Sequence, residues 1–242
     1  MTMYRLLWIP AAIITIAAGF PAALVAQGNM TDIIAADSVV TVVIGEKGGR
    51  GEDLLPDNVL GLPDSTARVE VPATDPAEVL SLGLGGEIVL HFSAHVVVDG
   101  EGDDLVVFEN VFTYRLGNAE RIYAEPAEVA VSRDGIDWRV FPIDHPTLDG
   151  AAGVTPTDGR FLPTDERSGG DRFDLADLGI DSIRYVRIRD VSSIVLEDIN
   201  HVFYDPTLNG FDLDAVVARH TIALDALTDV AADEPTFSLD LW

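Results

Sequence analysis

Two aspartates inside a strand-like segment are the first residues that could do chemistry. Asp212 and Asp214 lie in NGFDLDAVVARH, residues 209–220, although strands are depleted in Asp. Strand alternation places residues two apart on one face, so both carboxylates should point the same way, roughly 7 Å apart at their backbones. They could form a solvated face, a catalytic pair or part of a cation site.

Catalysis by two carboxylates is one interpretation. Glycosidases need an acidic pair that is only about 5 to 9 Å apart. The chain has 41 acidic residues, so some pair would meet that distance in any fold. The sequence contains neither Gly-x-Ser-x-Gly nor His-Glu-x-x-His. A carboxylate-dependent polysaccharide hydrolase therefore stays open as an alternative.

Calcium binding suits these residue types better, because Ca²⁺ takes about six to eight oxygen ligands from carboxylates, amides and carbonyls. The strand-like run DLVVFEN ends in Glu109 and Asn110, whereas Asp212 and Asp214 begin another strand. Acids at strand ends can converge on one ion. We predict a Ca²⁺ site formed by Glu109, Asn110, Asp212 and Asp214, with Asp104 in reserve. The alternative is that these side chains cap turns or accept hydrogen bonds from loop amides.

The run DGEGDDLVVFEN is not a helix–loop–helix calcium loop. Asp104 occupies the sixth position, where that loop requires Gly, and Glu109 falls one place before the closing position. The flanking segments are not helical in pattern. Any calcium site must therefore be assembled from distant segments.

Aromatic side chains offer possible stacking surfaces for a sugar. Trp138 alternates with Val140 in WRVFP, which favours a core position. Tyr114 and Tyr123 lie in a loop-like region. These two tyrosines are the better candidates for an exposed ligand-binding platform.

Short alternating segments predict an all-β protein. The segments EVAVS and WRVFP flank a turn at Asp134 and Gly135, which predicts a β-hairpin. Roughly seven short strands without a long helical period predict one antiparallel β-sandwich domain, which we place at residues 39–222. The stretch 144–172 is rich in Gly, Pro, Thr and Asp and predicts a long loop.

The two ends of the chain differ in composition from this domain. Residues 1–26 have an early Arg5, an apolar run and small residues near Ala26, which is the layout of a secretory signal peptide. An uncleaved membrane anchor is the alternative. Residues 27–38 are predicted to be a flexible lead-in and 223–242 an acidic tail. We predict export to the periplasm, cell surface or medium, with no membrane span in the mature chain.

The charge of the chain limits its partners. It carries 41 acidic and 15 basic side chains, a net charge of −26, which disfavours nucleic acid and favours cations. A surface adapted to salt water is the plain alternative. The chain has no cysteine, which excludes disulfides, thiolate metal sites and a cysteine nucleophile.

An ordered series of segments also carries a family resemblance. Between residues 41 and 219 the chain resembles secreted bacterial proteins usually called cell-surface proteins, through LGLPD, VLSLGLGGEIVLHF, VVDGEGDDLVVFEN, AEPAEVAVSRDGIDWRVFP, GGDRFDLADLG, RYVRIRD and GFDLDAVV. RYVRIRD and VSRDGIDW also make it similar to discoidin-like and carbohydrate-binding jelly rolls.

This resemblance implies an extracellular jelly-roll sandwich with bound Ca²⁺ that binds a glycan or another cell-surface component, rather than an enzyme. Many members of the family carry C-terminal sorting tags. The chain ends in FSLDLW, without the hydrophobic helix and basic cluster of such a tag, so surface anchoring is not implied. A structural envelope or matrix protein without a small ligand is the third interpretation.

Overall fold

The fold is an all-β sandwich of antiparallel sheets, as predicted. The computed structural model describes residues 33–226. All pairings between its named strands are antiparallel. The named helical elements are short and include α1 (Ser193–Leu196) and 3-10 turns at Glu52–Leu54, Asp57–Val59, Glu166–Ser168 and Leu175–Leu178. Within the described range, none of the helices has the length and apolar character needed to cross a bilayer.

Two five-stranded sheets form the sandwich. The first has the order β1–β14–β6–β11, with β3 beside β14. Its strands are β1 (Ile34–Ala35), β3 (Leu80–Ser81), β6 (Leu105–Glu109), β11 (Asp171–Phe173) and β14 (Asp212–Ala218). The second has the order β10–β9–β13–β4–β2. Its strands are β2 (Ser38–Val43), β4 (Glu87–His91), β9 (Ala127–Ser132), β10 (Arg139–Val140) and β13 (Tyr185–Asp190). The jelly-roll order stays a prediction.

Two smaller sheets extend the sandwich at its opposite ends. One contains β5 (His95–Val98), β12 (Ser182–Ile183) and β15 (Thr221–Ala223). The other is a separate hairpin of β7 (Phe112–Leu116) and β8 (Ala119–Tyr123). The three-stranded sheet lies at the end of the sandwich that contains Asp104. The hairpin lies at the end that contains Glu109.

The main core lies between the two large sheets. Strand alternation sends Ile88 and Leu90 of the second sheet inward, where they meet Leu105 and Val107 of the first. All four side chains are fully buried. This packing fixes which strand ends meet at each end of the sandwich.

A β-bulge interrupts the strand that carries the two aspartates. Leu213 pairs with Glu109 and Ala215 pairs with Phe108, so the register shifts between Leu213 and Ala215. Leu213 and Val216 both enter the main core, although they are three residues apart. Asp214 is therefore in an irregular part of β14, and the simple alternation assumed for this segment does not hold there.

The observed strands extend slightly beyond the predicted domain at both ends. Strand pairing starts at Ile34, inside the segment 27–38 that was predicted to be a flexible lead-in. β15 ends at Ala223, the start of the predicted acidic tail. The predicted signal peptide and residues 227–242 of the tail lie outside the described residues.

The region around the Asp134-Gly135 turn confirms one local prediction and corrects another. The hairpin around Asp134 and Gly135 is confirmed, since β9 pairs with β10. The core position of Trp138 is wrong, because the residue precedes the edge strand β10 and is not fully buried. Trp138 is half-buried under the Arg187 guanidinium, which lies 4.9 Å from its ring centroid.

The loop assigned to Tyr114 and Tyr123 is also wrong, because both residues lie in the β7–β8 hairpin. Its two-residue connection is Gly117-Asn118, with Gly117 at φ 64°. Glycine at the first position of such a loop is a recognised hairpin signal. The sequence therefore contained a signal for this element.

Candidate metal centre

One end of the sandwich gathers acidic residues from several strand termini. Glu109 ends β6, Glu125 precedes β9, and Asp212 begins β14. Asn110 follows Glu109 directly. We call Glu109, Asn110, Glu125 and Asp212 the Glu109 cluster. Antiparallel pairing of β6 with β14 sets the end of one strand beside the start of the other, whereas Glu125 precedes a strand of the second sheet.

Three of the predicted ligands are in direct contact. Glu109 Oε1 accepts the Asp212 backbone N–H at 3.2 Å. Asn110 Nδ2 donates to Asp212 Oδ2 at 2.9 Å and to the Ala73 carbonyl at 3.1 Å. The β6–β14 register produces this meeting, because Leu213 pairs with Glu109 and thereby sets Asp212 beside it.

The other two oxygens of these carboxylates lack partners. Glu109 Oε2 and Asp212 Oδ1 are buried and have no hydrogen bond. The Ser81 hydroxyl is near enough to lower the pKa of Asp212, but no hydrogen bond of normal geometry joins the two groups. Leaving a buried polar atom without a partner costs about 1–3 kcal/mol, and more for a charged group.

Glu125 is a fourth member that the sequence reasoning missed. Its Oε1 accepts the backbone N–H groups of Asn209 at 2.5 Å and Gly210 at 2.8 Å. Gly210 is required here, because its φ is 107° and a Cβ would lie 2.2 Å from the Gly83 backbone. Glu125 stands just before the EVAVS strand, so the strand-end criterion that selected Asp212 would also have selected it.

The electrostatics of the cluster disfavour the ionised carboxylates. Burial, with repulsion from Glu125 and Asp212, raises the pKa of Glu109 well above its usual value. Burial raises the pKa of Glu125 to about 8, with repulsion from Asp212 and Asp190 adding to the effect. Burial also raises the pKa of Asp212. Within residues 33–226, no basic side chain forms an ion pair with these three residues.

Two further buried acids surround the cluster but have partners of their own. Asp190 accepts from the Gly85 and Phe211 amides and from the Ser192 hydroxyl. Asp171 accepts the Val154 amide at 3.0 Å, and burial raises its pKa to about 6.

The donor set has the chemistry of a hard-cation site, although among residues 33–226 the only three acidic side chains with ligand oxygens within 4.8 Å of one another are Asp99, Asp104 and Asp174. It consists of carboxylate and amide oxygens, without sulfur or imidazole, which is the chemistry that Ca²⁺ prefers. Glu109 and Glu125 are each only 2% exposed. A cation around which these side chains closed would neutralise the repelling carboxylates and could become a partner for Glu109 Oε2 and Asp212 Oδ1.

The remaining predicted ligands lie elsewhere. Both oxygens of Asp214 accept the Asp64 backbone N–H, at 3.0 and 3.1 Å. Asp104 precedes β6, whereas Glu109 ends it, which separates them by roughly 16 Å at the strand rise. Among the described residues, no side-chain hydrogen bond joins Asp214 or Asp104 to the Glu109 cluster.

Asp104 belongs to a second acidic group at the opposite end of β6. Carboxylate oxygens of Asp99, Asp104 and Asp174 lie within 4.8 Å of one another. We call these three residues, with His220, the Asp104 cluster. Asp104 Oδ1 accepts from the Gly100 amide at 2.8 Å and lies 2.7 Å from His220 Nδ1. Its Oδ2 accepts the Leu175 amide at 2.8 Å.

An open groove lies between the β7–β8 hairpin and residues 199–206. Its volume is about 820 Å³. Tyr114 lines this groove and donates its hydroxyl to Asp205 at 2.9 Å. Tyr123 instead packs against a small buried cluster around Leu208 and donates to the Thr207 carbonyl at 3.0 Å. Of the two predicted platforms, Tyr114 faces the groove and Tyr123 supports its wall.

Comparison with known proteins adds no identification. No family model matches the chain, and no curated protein matches it. The resemblance to secreted cell-surface proteins therefore stays a prediction. Any function has to be argued from the residues described above.

Proposed function

We propose that the protein is an exported, calcium-stabilised β-sandwich that binds a neutral glycan of a cell surface or matrix. Glu109, Asn110, Glu125 and Asp212 hold the Ca²⁺, and the groove lined by Tyr114 receives the glycan. The observation that carries the calcium site is the pair of buried oxygens without partners, Glu109 Oε2 and Asp212 Oδ1. Bound Ca²⁺ neutralises the carboxylates and stabilises the folded chain by mass action.

The Asp104 cluster is the weaker candidate for the ion. Both oxygens of Asp104 already have partners, and Asp174 Oδ1 accepts the Ala176 amide at 2.8 Å. The orphaned buried atoms of the described residues include none from this cluster. Asp104 and Asp174 therefore have donors from the chain that Glu109 Oε2 and Asp212 Oδ1 lack.

The composition of the groove supports a neutral sugar. Tyr114, Phe203 and Tyr204 supply aromatic surface, on which sugar rings pack. Arg121 balances the acidic lining in part, and the chain as a whole carries a net charge of −26. A polyanionic glycan would be repelled by that charge.

The buried position of the carboxylates argues against a polysaccharide hydrolase. A general acid has to reach the glycosidic oxygen of its substrate. Glu109 and Glu125, each 2% exposed, do not line the groove. These two carboxylates, whose pKa values burial raises, are thus poorly placed to touch a polysaccharide.

Thermal melting tests the calcium site. The purified protein is melted in chelator, in 1 mM Ca²⁺ and in Mg²⁺ at matched ionic strength. We expect a large rise in melting temperature with Ca²⁺ alone, because the site offers several oxygens and Mg²⁺ dehydrates reluctantly. Equal rises with both ions would mean charge screening of an acidic surface, and the calcium site would be wrong.

Affinity electrophoresis tests the ligand class. We expect gels containing neutral xylan, β-glucan or galactomannan to retard the protein in Ca²⁺ and gels containing alginate to leave it unretarded. Release of reducing sugar from any of these polymers would favour the hydrolase instead. Retardation by alginate alone would contradict the neutral glycan.

A further inference from the structure

The β7–β8 hairpin is structurally isolated, which makes its order depend on its anchors. Its two strands pair with each other and, in the described part of the chain, with no further strand. A two-stranded hairpin is only marginally stable in water. A backbone hydrogen bond from Thr113 to Val69 tethers one strand, but most residues of the hairpin are partly or largely exposed.

Both strands of this hairpin emerge from the Glu109 cluster. Asn110 lies two residues before the start of β7 at Phe112, and Glu125 lies two residues after the end of β8 at Tyr123. The cluster therefore holds both feet of the hairpin. A cation shared by the cluster would cross-link those feet.

The opposite wall of the groove leads into the same cluster. Residues 199–206 continue to Asn209 and Gly210, whose amides both donate to Glu125. Asp212 follows directly in β14. Glu125 therefore connects the end of the β7–β8 hairpin with the chain that follows residues 199–206.

Hydrogen bonds also join the two walls beyond the cluster. The Tyr114 hydroxyl binds Asp205, and the Tyr123 hydroxyl binds the Thr207 carbonyl. Order imposed on the hairpin is thereby transmitted to the 199–206 segment.

We propose that a cation held by the Glu109 cluster orders both walls of the groove, so that the groove binds a neutral glycan more tightly when calcium is bound. This inference rests on the proposed calcium site and adds a regulatory role to it. Linkage makes the effect reciprocal, since a glycan that binds the ordered groove must raise calcium affinity by the same factor. Couplings of this kind are typically about 5- to 150-fold.

Hydrogen–deuterium exchange of the full chain tests the coupling without requiring the glycan. Exchange is followed by mass spectrometry in chelator and in 1 mM Ca²⁺. We expect Ca²⁺ to slow exchange in residues 112–123 and 199–208 by about tenfold or more, because local opening governs exchange in such segments. β5, beside the Asp104 cluster, serves as the internal reference and should change much less.

A matched pair of substitutions identifies the connecting residue. Glu125→Gln removes the charge but keeps an oxygen for the Asn209 and Gly210 amides. Glu128→Gln makes the same change in β9, where the side chain only pairs with Arg189 at 3.1 Å. We expect Glu125→Gln to lose the calcium-dependent protection of both walls and Glu128→Gln to retain it. If Glu125→Gln does not fold, Asp212→Asn replaces it with the same expectation.

The outcomes separate the coupling from the calcium site itself. A calcium-dependent melting gain with unchanged exchange in both walls would overturn the coupling and leave the site standing. No change in either measurement would overturn the site and the coupling together. Equal calcium-dependent protection of the walls in wild type and Glu125→Gln would overturn the assignment of Glu125 as the residue through which the ion orders both walls.

Discussion

The two ends of β6 hold similar charges in different ways. At one end, buried Asp104 receives two backbone amides and lies against His220. At the other end, Glu109 receives one amide on Oε1, and its Oε2 has no partner. Burying a carboxylate is costly unless donors or a cation compensate its charge. The Asp104 cluster uses donors from the chain, whereas the Glu109 cluster is short of them.

The largest expected effect is on the calcium-dependent rise in melting temperature, which should depend on one end of β6 and not on the other. Glu109→Gln should abolish the calcium-dependent rise in melting temperature, and Asp99→Asn in the Asp104 cluster should retain it. At Ca²⁺ a hundredfold above its Kd, the wild-type gain is about 2.7 kcal/mol, or about 5–10 °C for a domain of this size. In chelator, Glu109→Gln should change stability little, because burial and repulsion from Glu125 and Asp212 raise the pKa of Glu109 and disfavour its ionised form. The opposite pattern, with the gain lost in Asp99→Asn alone, would move the ion to the Asp104 cluster.

A smaller effect is expected from the end that already has its donors. Asp104→Asn keeps one acceptor oxygen but loses the charge that strengthens the bonds from Gly100, Leu175 and His220. Hydrogen bonds to charged groups contribute about 1.5–3 kcal/mol, so we expect a loss of about 2–3 kcal/mol in the free energy of unfolding. Urea titration should give the same loss in chelator and in Ca²⁺. A loss present only in Ca²⁺ would mean that Asp104 binds the ion.

Strand patterns in the sequence predicted some of the contacts in these two acidic clusters. The strand-end rule selected Glu109, Asn110 and Asp212, which are in contact. The same rule gave no information about which amides would reach Asp104, because Leu175 is distant in sequence. Local spacing cannot report contacts that the packing of two sheets creates.

The bulge in β14 shows a second limit of sequence reasoning. Asp212 and Asp214 have the spacing of a pair, but the register shift leaves Asp214 with the Asp64 amide as its partner. A bulge depends on how the partner strand fits, which alternation alone does not contain. Glu125 and the Gly117-Asn118 turn were different, since both had local signals that were overlooked.

The pH dependence of stability should differ with and without calcium. A carboxyl with a raised pKa binds its proton more tightly in the folded chain, so its contribution is present below the ordinary pKa and is lost as pH rises. For Glu125 the window runs from 4.5 to about 8, with a slope of up to about 1.4 kcal/mol per pH unit for one such group. Glu109 and Asp212 act in the same direction.

Melting in chelator should therefore show stability falling between pH 5 and pH 8. Ca²⁺ requires the ionised carboxylates, so its stabilising gain should grow over the same interval. Asp158, whose pKa the Arg160 side chain lowers to about 2, titrates below this window and does not obscure it. A flat profile in chelator would contradict the raised pKa values, and a calcium gain independent of pH would contradict binding by these acids.

The smallest expected effect on stability is that of Asp214→Asn, and it should distinguish Asp214 from Asp212. Asp214→Asn retains an acceptor for the Asp64 amide, and burial raises the pKa of Asp214 to about 8, so the native side chain is largely neutral at pH 7. We expect a change below about 1 kcal/mol in the free energy of unfolding, as for neutral hydrogen bonds, and an intact calcium gain. Asp212→Asn, the matched substitution two residues earlier, should lose that gain because Asp212 Oδ1 belongs to the ion site. Calorimetric titration of both variants with Ca²⁺ makes the comparison directly. Equal loss of calcium binding in the two would mean that the bulge does not separate their roles and that Asp214 also binds the ion.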